Sequence, residues 1–163
     1  MLKAKHDVKH FSYGFFVRFV LVHVLTYLVF GLLFLGLSSY FDVFQEDPLL
    51  SQVMRPSNSL IVRMSVLIQF ARGLVLASAV YFVRSAFIGV KYGWSKLFWL
   101  MWVLTGVGAV VTGPGSIEGY IYTKFNYNPL IGLPEITFQM LAFSWLFCRW
   151  ENRHTDRGDK TTL

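Results

Sequence analysis

The feature that most constrains this chain is a long apolar block close to its start. Residues 15–37 read FFVRFVLVHVLTYLVFGLLFLGL, and Arg18 and His23 are the ionisable residues within it. Roughly 20 apolar residues in a helix are enough to cross the hydrocarbon core of a bilayer. Three further apolar blocks follow, at residues 60–83, 97–112 and 136–148. The last two reach a spanning length when flanking residues are included, so the pattern predicts four transmembrane helices.

The composition supports the same conclusion. Over 163 residues, 55% are hydrophobic, 15% are charged and the mean hydropathy is +0.50. A soluble domain carries about 25% charged residues, so this chain lacks the polar surface that would keep it in water. The lipid bilayer is therefore the first predicted partner.

The charges between the apolar blocks predict how the chain is oriented. The segments before the first block, between the second and third, and after the last are basic, whereas the first connection carries Asp42, Glu46 and Asp47. Basic segments stay on the cytoplasmic side, so both termini are predicted to be cytoplasmic. The net charge of +6 is then a signal of topology, and no nucleic-acid partner is predicted.

The predicted fold is all-α: a polytopic membrane protein with a four-transmembrane-helix bundle. One domain, residues 1–150, holds helices at about 15–37, 60–84, 96–112 and 134–149, and residues 151–163 form a polar cytoplasmic tail. The first block is too long for the apolar region of a signal peptide and lacks an Ala-x-Ala cleavage pattern, so we expect it to remain in the protein. The charge pattern favours the plasma (inner) membrane of a bacterium or archaeon.

Polar side chains inside the apolar blocks are the candidates for a site. Ser65, Gln69 and Arg72 are spaced four and three residues apart, which places them on one face of the second helix. Glu135 and Gln139 are spaced by four on the last helix. Each helix therefore carries a polar stripe in the same half of the membrane.

These two stripes lead to a specific hypothesis. An unpaired arginine at the centre of a bilayer costs about 2.5–3.5 kcal/mol on insertion scales. We place Glu135 roughly 9 Å outward from Arg72, a gap that the arginine stem can narrow by reaching outward. The expectation is an Arg72–Glu135 ion pair bridged by Gln69 and Gln139. Arg63 and Glu118 are charged candidates for the outer face.

His23 lies near the same depth and permits two interpretations. It either belongs to a proton path beside the polar stripe or hydrogen-bonds to one neighbouring side chain. Haem ligation by two membrane histidines has no second candidate, and Cys148 is the single cysteine, so no cofactor and no metal site are predicted. HExxH, GxSxG and CxxC patterns are absent, which leaves no catalytic residue to nominate and counts against an enzyme.

Three classes of function remain open. The first is a non-catalytic subunit or scaffold that forms a homo-oligomer or joins a larger membrane complex. It accounts for the missing motifs and for Thr105 with Ala109 and Gly108 with Thr112, small residues four apart that let helices approach closely. The second is a small oligomeric transporter or channel lined by the polar stripe. The third, a lipid-modifying membrane enzyme, has the least support.

Overall fold

A computed structural model describes residues 12–38, 42, 46–53, 55–56, 58–107 and 129–160, and the regular structure of these residues is entirely helical. The predicted all-α class is therefore confirmed for this part of the chain. The four longest helices are α1 (Tyr13–Ser38), α2 (Ser65–Phe82), α3 (Gly93–Trp102) and α4 (Pro129–Lys160). Single helical turns occur at Leu50–Val53, Leu60–Arg63 and Arg84–Ala86, and a π-helical turn occurs at Val103–Val107.

Within the described ranges, α1 and α2 are the helices that are long and apolar enough to cross a membrane. The structure does not confirm the two other predicted spans, for different reasons. α3 has 10 residues and gives way to the π-helical turn, in which Gly106 departs from helical geometry (φ −114°, ψ −106°). α4 is long, but no stretch of it within the described ranges is apolar enough to qualify. Of the expected small-residue pairs, Gly108, Ala109 and Thr112 lie outside the described part of the chain, so neither pair is tested.

α4 differs from the predicted last helix at both ends. Its described part begins at Pro129, five residues before the predicted start at residue 134. Pro134, expected in the first turn, instead lies inside the helix and leaves one backbone hydrogen bond unmade. At the other end the helix continues to Lys160, through most of the segment predicted as a tail.

An aromatic cluster joins α1 to α4. Phe15 and Phe19 on α1 contact Phe143 and Phe147 on α4, and all four are at most 1% exposed. The ring centroids lie 4.8 Å apart for Phe19 and Phe143, and 5.2 Å apart for Phe15 and Phe147, with the rings edge to face. Phe15 and Phe19 are four residues apart on α1, and Phe143 and Phe147 are four residues apart on α4. The two rings on each helix therefore lie on one face of that helix. α1 also packs against α2, and α3 packs against α4.

α1 and α2 approach each other closely at a glycine. A Cβ on Gly73 would lie 3.2 Å from the His23 ring and 3.6 Å from the Val20 backbone. The buried residues of α2 are Gln69, Gly73, Ala77 and Val80. The small side chains at positions 73 and 77 allow the two helix backbones to come near each other.

This packing predicts the effect of enlarging Gly73. Gly73→Leu must move α1 away from α2, and we expect a loss of about 1–3 kcal/mol in the free energy of unfolding. Thermal unfolding of the detergent-solubilised chain, followed by tryptophan fluorescence, measures the effect. Gly36→Leu on α1 is the matched control, because nothing lies within 4 Å of a Cβ built there. A Gly73→Leu variant as stable as the Gly36→Leu variant would contradict the close approach.

Candidate functional site

A buried polar contact joins the middle of α1 to the first part of α2. His23 is fully buried, and its Nε2 lies 3.3 Å from Oε1 of Gln69, which is 8% exposed. The amide oxygen accepts a hydrogen bond, so Nε2 carries the proton in this arrangement. The other ring nitrogen, Nδ1, has no hydrogen-bond partner among the described residues. Of the two interpretations of His23, this contact is the hydrogen bond to one neighbour.

A cavity of about 440 Å³ opens between α1 and α2, and it extends from this contact toward Glu135 of α4. Ser65, Gln69 and Glu135 contribute its polar groups, and Tyr27 and Gly31 of α1 line the same space. The carboxylate of Glu135 lies beside Gly31, because a Cβ on that glycine would be 3.9 Å from Glu135 Oε1. The structure thus brings together three of the predicted polar residues around one cavity whose remaining walls are mostly apolar.

Arg72 does not join them, and the predicted Arg72–Glu135 ion pair is absent from the structure. Arg72 is exposed, and it forms no ion pair with a described residue. The buried face of α2 passes through Gln69 and then Gly73, one residue beyond Arg72. Because successive residues of a helix are 100° apart, Arg72 points about a quarter of a turn away from the centre of that buried face.

The depth of the two charges also prevents the pair. Gln69 is level with His23 and Gly73 packs on Val20, so Arg72 is level with about position 20 of α1. Glu135 lies beside Gly31. The eleven positions from 20 to 31 correspond to about 16 Å along the helix. That distance exceeds the predicted 9 Å, and an arginine side chain is too short to span it.

Gln139 is buried, 5% exposed, and its position on α4 reveals a longer pattern. Every fourth residue of α4 from residue 135 to residue 151 follows one line. Glu135, Phe143, Phe147 and Glu151 each contact or lie beside α1, and the buried Gln139 falls between them. Between the two carboxylates the stripe changes from polar to aromatic. The ring of Phe143 stands perpendicular to that of His23, with centroids 6.0 Å apart.

The far end of this stripe forms the ion pair that sequence reasoning missed. Arg18 Nε donates to Glu151 Oε2 at 2.6 Å, and Arg18 Nη2 donates to Oε1 at 3.1 Å. The side chains are 15% and 11% exposed. A bidentate arginine–carboxylate pair in this setting is strong and fixes the register of the two helices. The recurrence of Glu135, Gln139, Phe143, Phe147 and Glu151 at every fourth position places Glu151 on this stripe, but residues 151–163 are predicted as a tail and the spacing does not identify Arg18 as the partner.

The remaining candidates do not enter the site. Arg63 is exposed at the end of its helical turn. Glu118 lies outside the described residues. Among the residues that the structure describes, no three His, Cys, Asp or Glu side chains are grouped closely enough to hold a metal ion.

Comparison of the chain with protein-family models, with curated proteins and with solved structures found no match. The function therefore has to be argued from the geometry of this chain alone.

The Arg18–Glu151 pair makes a direct prediction about stability. Glu151→Gln removes the charge from the acceptor of two hydrogen bonds, and we expect the free energy of unfolding to fall by about 2 kcal/mol. Unfolding in detergent, followed by tryptophan fluorescence, reads the change. Glu46→Gln is the control, since Glu46 is exposed and forms no ion pair within the described ranges. Equal stability of the two variants would show that the pair does not hold α1 to α4.

Proposed function

We propose that this chain is a small integral membrane protein that acts as a non-catalytic subunit, associating with itself or with a partner membrane protein. The observation that carries the proposal is the exposed Arg72, which lies near the middle of a helix long enough to cross a membrane. In this proposal the chain spans the plasma membrane of a bacterium or archaeon four times, with both termini in the cytoplasm.

The outer faces of α1 and α2 support a membrane environment. On α1, Leu25 is 56% exposed and Leu32 is 60% exposed. On α2, Leu67 is 63% exposed and Val75 is 70% exposed. Side chains of this kind on the outside of a bundle are favourable in lipid and unfavourable in water.

Arg72 interrupts the apolar surface of α2. Ile68 and Val75, which share its side of the helix, are 48% and 70% exposed. A guanidinium facing hydrocarbon costs at least about 2.5–3.5 kcal/mol, and buried membrane charges pair with acids or with backbone carbonyls. No described residue of the chain supplies the acid. A carboxylate or carbonyl from a second chain, packed on this side of α2, would satisfy Arg72.

The test compares two arginines of the same chain. Arg72→Leu is predicted to reduce the assembled species to monomer while leaving the chain in the membrane fraction, because it removes the group that requires the partner. Arg63→Leu, which removes an exposed arginine at the end of its helical turn, is predicted to remain assembled. Native mass spectrometry of the chain released from its own membranes measures the assembly state and any co-purifying protein. A wild-type chain that is monomeric and alone, or an Arg72→Leu variant that assembles normally, would contradict the proposal.

Glu118 requires a second arm of this experiment, because it is an acid of the same chain that lies outside the described residues. If the acid that pairs with Arg72 comes from a different protein, the exchange Arg72→Glu with Glu118→Arg will not restore assembly, whereas restored assembly would assign the acid to Glu118 of a second copy of this chain. If the double variant regains stability but does not assemble, the acid that pairs with Arg72 belongs to the same molecule.

The cavity between α1 and α2 favours a second candidate, a small oligomeric transporter or channel. Its polar groups come from Ser65, Gln69 and Glu135, but Arg72 does not line it. If the chain is a subunit without transport activity, proteoliposomes containing it will leak protons no faster than protein-free liposomes, as measured with an enclosed pH-sensitive dye. Proton flux that depends on the protein and is lost in Glu135→Gln would favour transport instead.

A further inference from the structure

A second cavity, of about 470 Å³, lies at the opposite end of the bundle from Glu135. It is formed between the turn that precedes α3 and the last part of α4. Its lining residues on α4 are Trp145, Cys148, Arg149, Asn152 and Arg153, and those from the turn and α3 are Val90, Tyr92, Gly93 and Trp94. None of the proposed polar-stripe residues contributes to it.

The walls of this cavity are fixed by local structure. Asn152 Oδ1 accepts a hydrogen bond from the backbone N–H of Gly89 at 2.9 Å, which ties the turn to α4. Tyr92 has a positive φ of 59°, and Gly93 follows it where any side chain would overlap the carbonyl oxygen of Phe87. The cavity is therefore a defined concave surface and does not depend on a freely moving loop.

Its charge is uniformly positive. Arg149 and Arg153 are both exposed and lie one turn apart on the same side of α4, where two like charges repel each other. Neither forms an ion pair with a described residue, and no described residue lining the cavity is acidic. Glu151, on the same turn of the helix, binds Arg18 of α1 instead. Among the described residues, no carboxylate therefore competes with an anion for these two guanidiniums.

Aromatic rings surround these charges. The Arg149 guanidinium carbon lies 5.0 Å from the centre of the Trp145 ring, and Trp145 and Trp94 are 45% and 37% exposed. Tryptophan beside arginine is typical of headgroup depth in a membrane protein. One turn of α4 further toward the middle of the bundle, Leu141 is 38% exposed and continues an apolar surface away from the arginines.

We propose that this cavity binds the phosphate of an anionic phospholipid headgroup, with Arg149 and Arg153 as its ligands and Trp145 and Leu141 beside the acyl chain. The planar guanidinium matches phosphate oxygens in a bidentate geometry. Basic pockets between membrane helices on the cytoplasmic side are suited to such headgroups, and the lipid is abundant there. A soluble phosphate would use the arginines but gain nothing from the apolar surface. The inference rests on the proposed membrane insertion of the chain.

The experiment measures binding of dioctanoyl-phosphatidylglycerol to the detergent-solubilised full chain by native mass spectrometry. The double variant Arg149→Gln with Arg153→Gln is predicted to bind this lipid at least about tenfold more weakly than the wild type, from the loss of two cationic contacts. The matched control is Arg55→Gln with Arg63→Gln, which removes the same charge from two exposed arginines outside the cavity and is predicted to bind normally. Equal weakening in both double variants, or in neither, would overturn the proposal.

Two further arms identify the source of the phosphate. Dioctanoyl-phosphatidylcholine and inorganic phosphate are each predicted to bind more weakly than phosphatidylglycerol, and either one binding as tightly would overturn the assignment to an anionic lipid. If the glutamine variant does not fold, Arg149→Lys with Arg153→Lys retains the charge and loses the bidentate geometry. It should still bind phosphatidylglycerol more weakly than the wild type, and equal binding would overturn the proposal.

Alkaline extraction of membranes separates failure of this inference from failure of the proposed function. A chain that stays in the membrane pellet but shows no preference for phosphatidylglycerol contradicts the lipid site alone. A chain released into the supernatant contradicts membrane insertion and the lipid site with it.

Discussion

The apolar outer surface of α1 and α2 is the constraint on which the rest of the structure depends. A core helix of a soluble protein is mostly buried by its own fold. In the most apolar 18-residue stretch of α1 and of α2, only 22% of the residues are buried inside the bundle. The remaining side chains need another apolar environment, since leaving them in water would cost about 25 cal/mol for each Å² of apolar surface. In the proposed membrane location, lipid would meet this need for most of the surface, and Arg72 would be the side chain for which lipid alone is a poor neighbour.

Inside the bundle, the contact between α1 and α4 follows a repeat of four residues. The repeat starts at Glu135 beside Gly31, passes through the aromatic cluster and ends at Glu151 on Arg18. A four-residue repeat suits two helices whose side chains interdigitate in rows. The aromatic contacts supply buried area, and the Arg18–Glu151 pair selects one register among those that the rings alone would permit.

The sequence was sufficient to predict the helical class and the positions of α1 and α2, because both follow from runs of apolar residues with few interruptions. It also suggested a hydrogen-bonded His23, since a lone histidine in an apolar block needs a polar neighbour. The position of Arg72 could not be predicted in the same way. Its exposure depends on which of two adjacent residues, Arg72 or Gly73, faces α1, and that choice follows from the close packing of helix backbones.

The depth predicted for Glu135 relative to Arg72 was wrong for a related reason. The predicted 9 Å between Arg72 and Glu135 requires the middles of their two apolar blocks to lie at the same depth, but α4 includes Pro129–Lys160 and extends well beyond its apolar block. The register of α4 on α1 is set by side chains that are far apart in the sequence, such as Arg18 and Glu151, and no local pattern specifies their pairing. The cavity at Arg149 was also beyond prediction, because four of the nine residues that line it come from the turn before α3 and the start of α3, far from Arg149 in the sequence.

The most direct test of the account is the surroundings of the exposed apolar side chains in a bilayer. Spin labels attached at Leu25→Cys and Leu74→Cys, in a Cys148→Ser background, report collisions with oxygen, which enters lipid, and with a nickel chelate, which stays in water. Asn58→Cys, between the helices, is the exposed reference position. The account predicts that the nickel chelate is excluded from positions 25 and 74 and reaches position 58. Free access of the chelate to positions 25 and 74 would show that water surrounds these helices, and the membrane account would be wrong.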